Sequence, residues 1–144
     1  MNTQRPSIFR IIQIDYFALL GSLIPTVMVT FAVYDWLAGR QVSGNNYFLA
    51  GVVVLGIALF VSRVVIISRV FEAGMEETAT ISNTGFFRGR GTIRYTYSFQ
   101  GEKYDSYNQV SSSRRTRAVM VGQELTVLVD QTKPKRAFIK KLYL

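Results

Sequence analysis

Two long apolar runs, followed by a stretch in which apolar and polar residues alternate, divide the chain. Residues 16–37 read YFALLGSLIPTVMVTFAVYDWL and residues 47–67 read YFLAGVVVLGIALFVSRVVII, the second broken only by Ser62 and Arg63. Each is close to the roughly 20 residues that carry a helix across about 30 Å of hydrocarbon. Neither has the polar stripe of a soluble amphipathic helix. The pattern predicts two transmembrane helices rather than buried core helices, because the remaining residues are too few and too polar to cover them. The first run is longer than a signal-peptide apolar core and ends in no clear small-x-small cleavage site. Between the runs, Ala38–Asn46 is rich in Gly, Ser and Asn and suits a tight connection. A helical hairpin is the expectation.

After Phe71 the period changes to two. Ile93, Tyr95, Tyr97 and Phe99 alternate with Thr92, Arg94, Thr96 and Ser98, the pattern of a half-buried strand. Gln100-Gly101 then turns the chain into Glu102–Val110, which carries Tyr104 and Tyr107. Upstream, the Thr-rich Glu76–Ser82 reads as an edge-like strand. Downstream, Glu124–Val129 is apolar on both faces and should lie centrally, and Arg136–Leu144 would close the set. Ser111–Val121 has a second reading as a short helix, since it opens with three potential N-caps. The predicted fold is therefore a membrane α-helical hairpin plus an all-β part, a small antiparallel five-stranded barrel- or sandwich-like domain. The divisions are residues 1–15 as an N-terminal segment, 16–68 as the hairpin and 69–144 as the β domain. Near the lower size limit for an independent core, that domain has ten aromatic rings to bury, or to seal against the membrane or a neighbouring subunit.

Charge sharpens the picture. The 144 residues carry 17 Lys and Arg against 9 Asp and Glu, net +8, and residues 69–144 hold 13 and 7 of these. The connection between the helices carries only Arg40, whereas Arg5 and Arg10 precede the first helix and a basic domain follows the second. Both termini are therefore expected to be cytoplasmic. Tyr34 and Trp36, with Tyr47 and Phe48, fall where amphipathic rings favour an interface. Pro25 should kink the first helix or open a gap in its backbone bonding. Arg63 reads as a snorkelling cation one turn from the end of its helix; the alternative has it facing a partner helix or a lipid phosphate. Gly21, Gly51 and Gly56 permit close helix approach, within the hairpin or against a partner.

The chain has no Cys and no His. That excludes disulfides, thiolate chemistry and sulfur-built metal centres, and removes the commonest general base. No catalytic, cofactor or metal residues are assigned. Ser111, Ser112 and Ser113 are not placed with any lysine by a recognisable motif. The segment Phe86-Phe87-Arg88-Gly89-Arg90-Gly91 reads as a flexible glycine-rich loop, an ordinary hairpin connection with solvated arginines or a contact with anionic lipid headgroups. It lacks the Lys-Ser/Thr of a nucleotide loop. Arg114, Arg115 and Arg117 form a second basic loop able to meet lipid, protein or solvent. Nucleic acid would need Tyr95, Tyr97 and Phe99 as a stacking face, but their alternation marks them as core.

The tyrosine strand and its turn, YTYSFQGEKYDS, and the later VGQELTVLVDQTKPKRAFI resemble the bacterial membrane-protein family known as domain of unknown function 3592. Val121, Gly122, Val127, Asp130, Pro134 and Ala137 fall on its pattern, and Gln131 departs from it by standing where a first Pro is usual. The resemblance implies the same arrangement of two helices and a small β domain. Physically, Gly122 suits a positive φ, Asp130 an Asx-turn and Pro134 a fixed turn, so these three read as structural.

Together these readings lead to a noncatalytic protein of the bacterial inner membrane. Its expected partners are the lipid bilayer and other membrane protein subunits, and its expected role is that of a small accessory or assembly subunit. The alternative is a membrane-tethered module for anionic lipids, with nucleic acid a weaker option.

Overall fold

The computed structural model describes residues 5–39 and 46–144. Arg40 and its neighbours in the connection, and the Tyr47 side chain, lie outside the described residues. The elements are α1 (Ile8–Ile14), α2 (Tyr16–Leu37), α3 (Asn46–Ala73), β1 (Met75–Phe87), β2 (Arg90–Phe99), β3 (Glu102–Ser111), α4 (Arg114–Arg117), β4 (Glu124–Val129), β5 (Ala137–Ile139) and α5 (Lys140–Tyr143).

α2 and α3 are long and apolar enough to cross a membrane, and only 17% and 11% of their apolar windows is buried. A soluble core helix would be mostly covered. Instead Leu23, Val27, Phe31, Val54, Leu55 and Val61 stand exposed. Backbone-directed hydroxyls reduce the polarity of α2: Thr26 donates to the Ser22 carbonyl and Thr30 to that of Thr26, both at 2.8 Å. The two helices meet at small residues. A Cβ on Gly21 would lie 2.7 Å from the Phe60 nitrogen, and one on Gly56 would lie 2.7 Å from the Pro25 ring. These two glycines therefore pack the hairpin on itself. A Cβ on Gly51 would meet nothing within 4 Å.

The strands form one antiparallel sheet in the order β3-β2-β1-β4-β5, curled into a nearly closed barrel. Both β1–β2 and β2–β3 turn in two residues at positive φ, Arg88 (44°) with Gly89 (83°) and Gln100 (52°) with Gly101 (84°). That is the hairpin geometry that matches strand twist. Three expectations are corrected here. Phe86–Gly91 is the ordinary hairpin connection expected, but it is a two-residue turn at Arg88-Gly89 between paired strand ends, with Phe87 opposite Arg90, and not a flexible loop. The Thr-rich strand β1 lies between β2 and β4 rather than at an edge, because its pairing with β4 is set by distant residues and not by its composition. The last segment extends for only three residues before turning helical in α5. The short-helix reading of Ser111–Val121 describes α4, which opens with a Ser113–Thr116 capping box.

Barrel closure uses side chains. No β3–β5 ladder is formed; the Asn108 amide takes its place. Asn108 Nδ2 donates to the Ala137 carbonyl at 2.9 Å, and Oδ1 accepts from the Ile139 N–H at 3.2 Å. The Tyr95 hydroxyl donates to the same Ala137 carbonyl at 2.7 Å, Ser106 Oγ donates to the Lys135 carbonyl at 2.8 Å, and the Tyr97 hydroxyl donates to the Pro134 carbonyl. Burial pushes the Tyr97 phenol up to about 12, with Tyr104 adding to the shift, so the hydroxyl stays a donor. An Asn108→Leu protein should lose about 1–3 kcal/mol, the cost of stranding a buried N–H. Thermal unfolding in detergent measures this, and unchanged stability would mean that packing alone closes the seam.

The core runs through both halves. Ile11 and Ile14 of α1, Ala18 of α2, and Ile67, Val70 and Phe71 of α3 are buried in one cluster with Tyr95, Val127, Leu142 and Tyr143. Within the predicted segment 1–15, α1 is thus tied to the β domain.

Candidate functional site

The most strongly charged buried feature sits where the helical hairpin meets the sheet. Asp15 has extended backbone (φ −81°, ψ 118°), so it ends α1 and begins α2. Its Oδ1 accepts from the Ala18 N–H at 2.9 Å, capping α2. The carboxylate, 1% exposed, also receives a fork from Arg63: Nε to Oδ1 at 3.2 Å and Nη2 to Oδ2 at 2.5 Å. The Arg63 guanidinium lies over the rings of Phe17 and Phe138, 5.6 and 5.8 Å from their centroids. Asp15 further bridges Val110 of β3. The snorkelling expectation for Arg63 is therefore corrected. A buried carboxylate on the neighbouring helix holds it more strongly than a route to water does. Next to the pair, Tyr143 is fully buried against Phe71 and Phe138. Burial pushes its hydroxyl well above the ordinary phenol range, and Asp15 adds to the shift.

Beside this joint opens a cavity of about 250 Å³. It is walled by Phe17 and Arg63 from the helices, by Ser106–Gln109 of β3, and by Lys135–Phe138 leading into β5. It brings Arg63 together with Lys135 and Arg136, which lie about 70 positions later in the chain.

The positions singled out by sequence are distributed elsewhere. Phe86 packs half-buried against the core, whereas Phe87 is 62% exposed with the Arg88 guanidinium 5.0 Å from its ring centroid. Arg90 is exposed at the start of β2. On α4, Arg114, Arg115 and Arg117 are all exposed; Arg115 donates to the Leu142 carbonyl at 3.2 Å and Arg117 to Ser112 Oγ at 2.7 Å. The structure does not join the two groups of arginines to the cavity.

Gly122 has φ +82° and its N–H donates to the Ile81 carbonyl at 2.8 Å. Asp130 accepts at Oδ1 from the Thr132 N–H (2.9 Å) and hydroxyl (2.7 Å), and at Oδ2 from Arg136 (3.3 Å). Burial alone would raise its carboxyl. The Thr132 and Lys133 hydrogen bonds and the Arg136 charge prevail and hold it below the usual range. Pro134 lies in the same turn and accepts from Tyr97. Gln131, the departure from the family pattern, donates through Nε2 to the Ala73 carbonyl at 2.9 Å and so caps the end of α3. A Pro there would have no such donor.

Asp15, Arg63, Asn108 and Lys135 are the residues of this region that sequence reasoning did not assemble. One signal was available for Asn108: Tyr104, Ser106, Asn108 and Val110 share one parity of β3, so an Asn falls on the inward face. Tyr107, on the other parity, is 59% exposed.

The family described as Domain of unknown function (DUF3592) matches residues 64–143. No significant match was found among curated proteins or solved structures.

Proposed function

Starting from a chain that belongs to the domain of unknown function 3592 family, whose description names no reaction, we propose a noncatalytic integral membrane protein. Its role in this reading is that of a small accessory or assembly subunit of a bacterial inner-membrane complex. The observation that carries the reading is the continuous core between the roots of α1, α2 and α3 and the barrel, fastened by Asp15 and Arg63. A flexible tether would leave the β domain free. Here the domain is held at a fixed position relative to two helices whose outer faces are apolar and uncovered. Such a rigid unit suits holding other subunits in register. The contact of α1 with α5 supports a reading with the segments before α2 and after α3 on one side of the membrane. The charge count favours the cytoplasm for that side.

A noncatalytic role agrees with a composition free of His and Cys. Asp15, Asn108 and Thr116, the buried polar residues, each bond another part of the fold, whereas the buried Ser111 and Tyr143 hydroxyls have no hydrogen-bond partner. The alternative, a module for anionic lipid headgroups, draws support from the three exposed arginines of α4. Nucleic acid has less, since Tyr95, Tyr97 and Phe99 are at most 3% exposed and unavailable for stacking.

Carbonate washing followed by affinity purification in mild detergent tests the proposal. The protein should stay in the membrane pellet and carry stoichiometric membrane-protein partners. Recovery as a water-soluble monomer would overturn the anchoring, and a solitary detergent-solubilised monomer would overturn the subunit role. Protease added to intact cells should leave the β domain whole; trimming would reverse the sidedness.

A further inference from the structure

We propose that the cavity beside the β3–β5 seam is a binding site for the phosphate group of an anionic phospholipid headgroup. This inference rests on the reading that α2 and α3 span a bilayer. It does not depend on the subunit role.

Three features of the cavity support it. The first is position: its walls include Phe17, in the first turn of α2, and Arg63, ten residues before the end of α3 and paired with Asp15 at the start of α2. A lipid headgroup lies at that depth beside a spanning helix, and its acyl chains would run along the exposed apolar faces above. The second is charge. Arg63 spends Nε and one hydrogen of Nη2 on Asp15, which leaves Nη1 and the second Nη2 hydrogen as donors. Lys135 is exposed on the opposite wall, and Arg136 is joined to Asp130 by a single contact of 3.3 Å. With Asp15 and Asp130 counted against the three cations, the lining remains net positive. The third is chemistry of mixed character. Gln109 supplies a neutral hydrogen-bonding group, while Phe17 and Phe138 supply apolar surface for a glycerol and its first methylenes. A cavity for an apolar ligand would not need the cations, and one for a free ion would not need the rings.

Full-length protein in phosphatidylcholine nanodiscs, with and without phosphatidylglycerol, provides the test. Native mass spectrometry should show phosphatidylglycerol retained in preference to phosphatidylcholine. Lys135→Gln should lower that preference about fivefold, the loss of one near-surface cation, and Lys135→Arg should restore it. Lys135 is exposed, so neither substitution threatens the fold. Charge reversal of Arg114, Arg115 and Arg117 should leave the preference in place. Equal retention of the two lipids, no effect of Lys135→Gln, or loss of preference on reversing the α4 arginines would each overturn the site. Inorganic phosphate and glycerol 3-phosphate form the remaining arm. If either raises the melting temperature in a Lys135-dependent way as much as the lipid does, the ligand is a soluble phosphate and the lipid assignment falls. Failure of the protein to enter nanodiscs would count against the bilayer reading itself.

Discussion

Replacing Arg63 by Ala should destabilise the protein by about 3–5 kcal/mol, the cost of leaving a buried charge uncompensated. Asp15 is 1% exposed and would keep the Ala18 N–H but no countercharge. Asp15→Ser should cost less than Arg63→Ala, for two reasons. Serine keeps the cap on α2, and the Arg63 side chain, 24% exposed, retains a partial route to water. The double variant Asp15→Ser/Arg63→Leu removes both charges while preserving the cap. It should be more stable than Arg63→Ala alone, since a buried pair replaced by apolar groups is often close to neutral. Thermal unfolding of the unaltered protein, Asp15→Ser, Arg63→Leu and the double variant in one detergent closes the cycle and gives the coupling energy. If the singles and the double add without coupling, the joint is not an ion pair in solution.

The hairpin supplies the second large effect, and it changes sign with position. Gly21→Ala places a methyl 2.7 Å from the Phe60 nitrogen and 3.0 Å from the Gly56 carbonyl oxygen. These are backbone atoms of a packed helix, so α2 and α3 must separate, at about 1–3 kcal/mol. Gly51→Ala meets open space and should stabilise α3 by up to about 1 kcal/mol through helix propensity. Melting temperatures of the two variants should therefore move in opposite directions. A shift of the same sign for both would mean that the helices do not cross at Gly21.

What could be read from the sequence was what is local. Two helices of membrane length follow from uninterrupted apolar runs, and the β2–β3 hairpin follows from alternation across Gln100-Gly101. Gly122 could be placed at positive φ because few other residues go there. The joint was not legible, because each of its charges was weighed alone against water. Asp15 has no role assigned from sequence, and Arg63 reads first as a snorkelling cation. Only the antiparallel pairing of α2 with α3, 48 positions apart at this contact, turns the two into a pair. Strand order failed for the same reason. Nothing in EETATIS says that Glu124–Val129 will pair along its outer side, and so an inner strand read as an edge. Lys135 and Arg136 could be seen as basic, but not as one wall of a cavity whose other wall is a membrane helix.

The core shared by α1 and α5 has a consequence for biosynthesis. Ile11 leaves the ribosome well before the surface that buries it is complete, because that surface includes Leu142 and Tyr143, made more than 120 residues later. Throughout that interval the apolar side of α1 has no permanent cover, and contacts of such long separation form slowly. An insertion factor or a chaperone therefore has a window of many seconds in which to act on this chain, at roughly 5–20 residues per second of elongation. Translation that stalled before Leu142 would release a polypeptide with its hairpin formed and its barrel still open at the base.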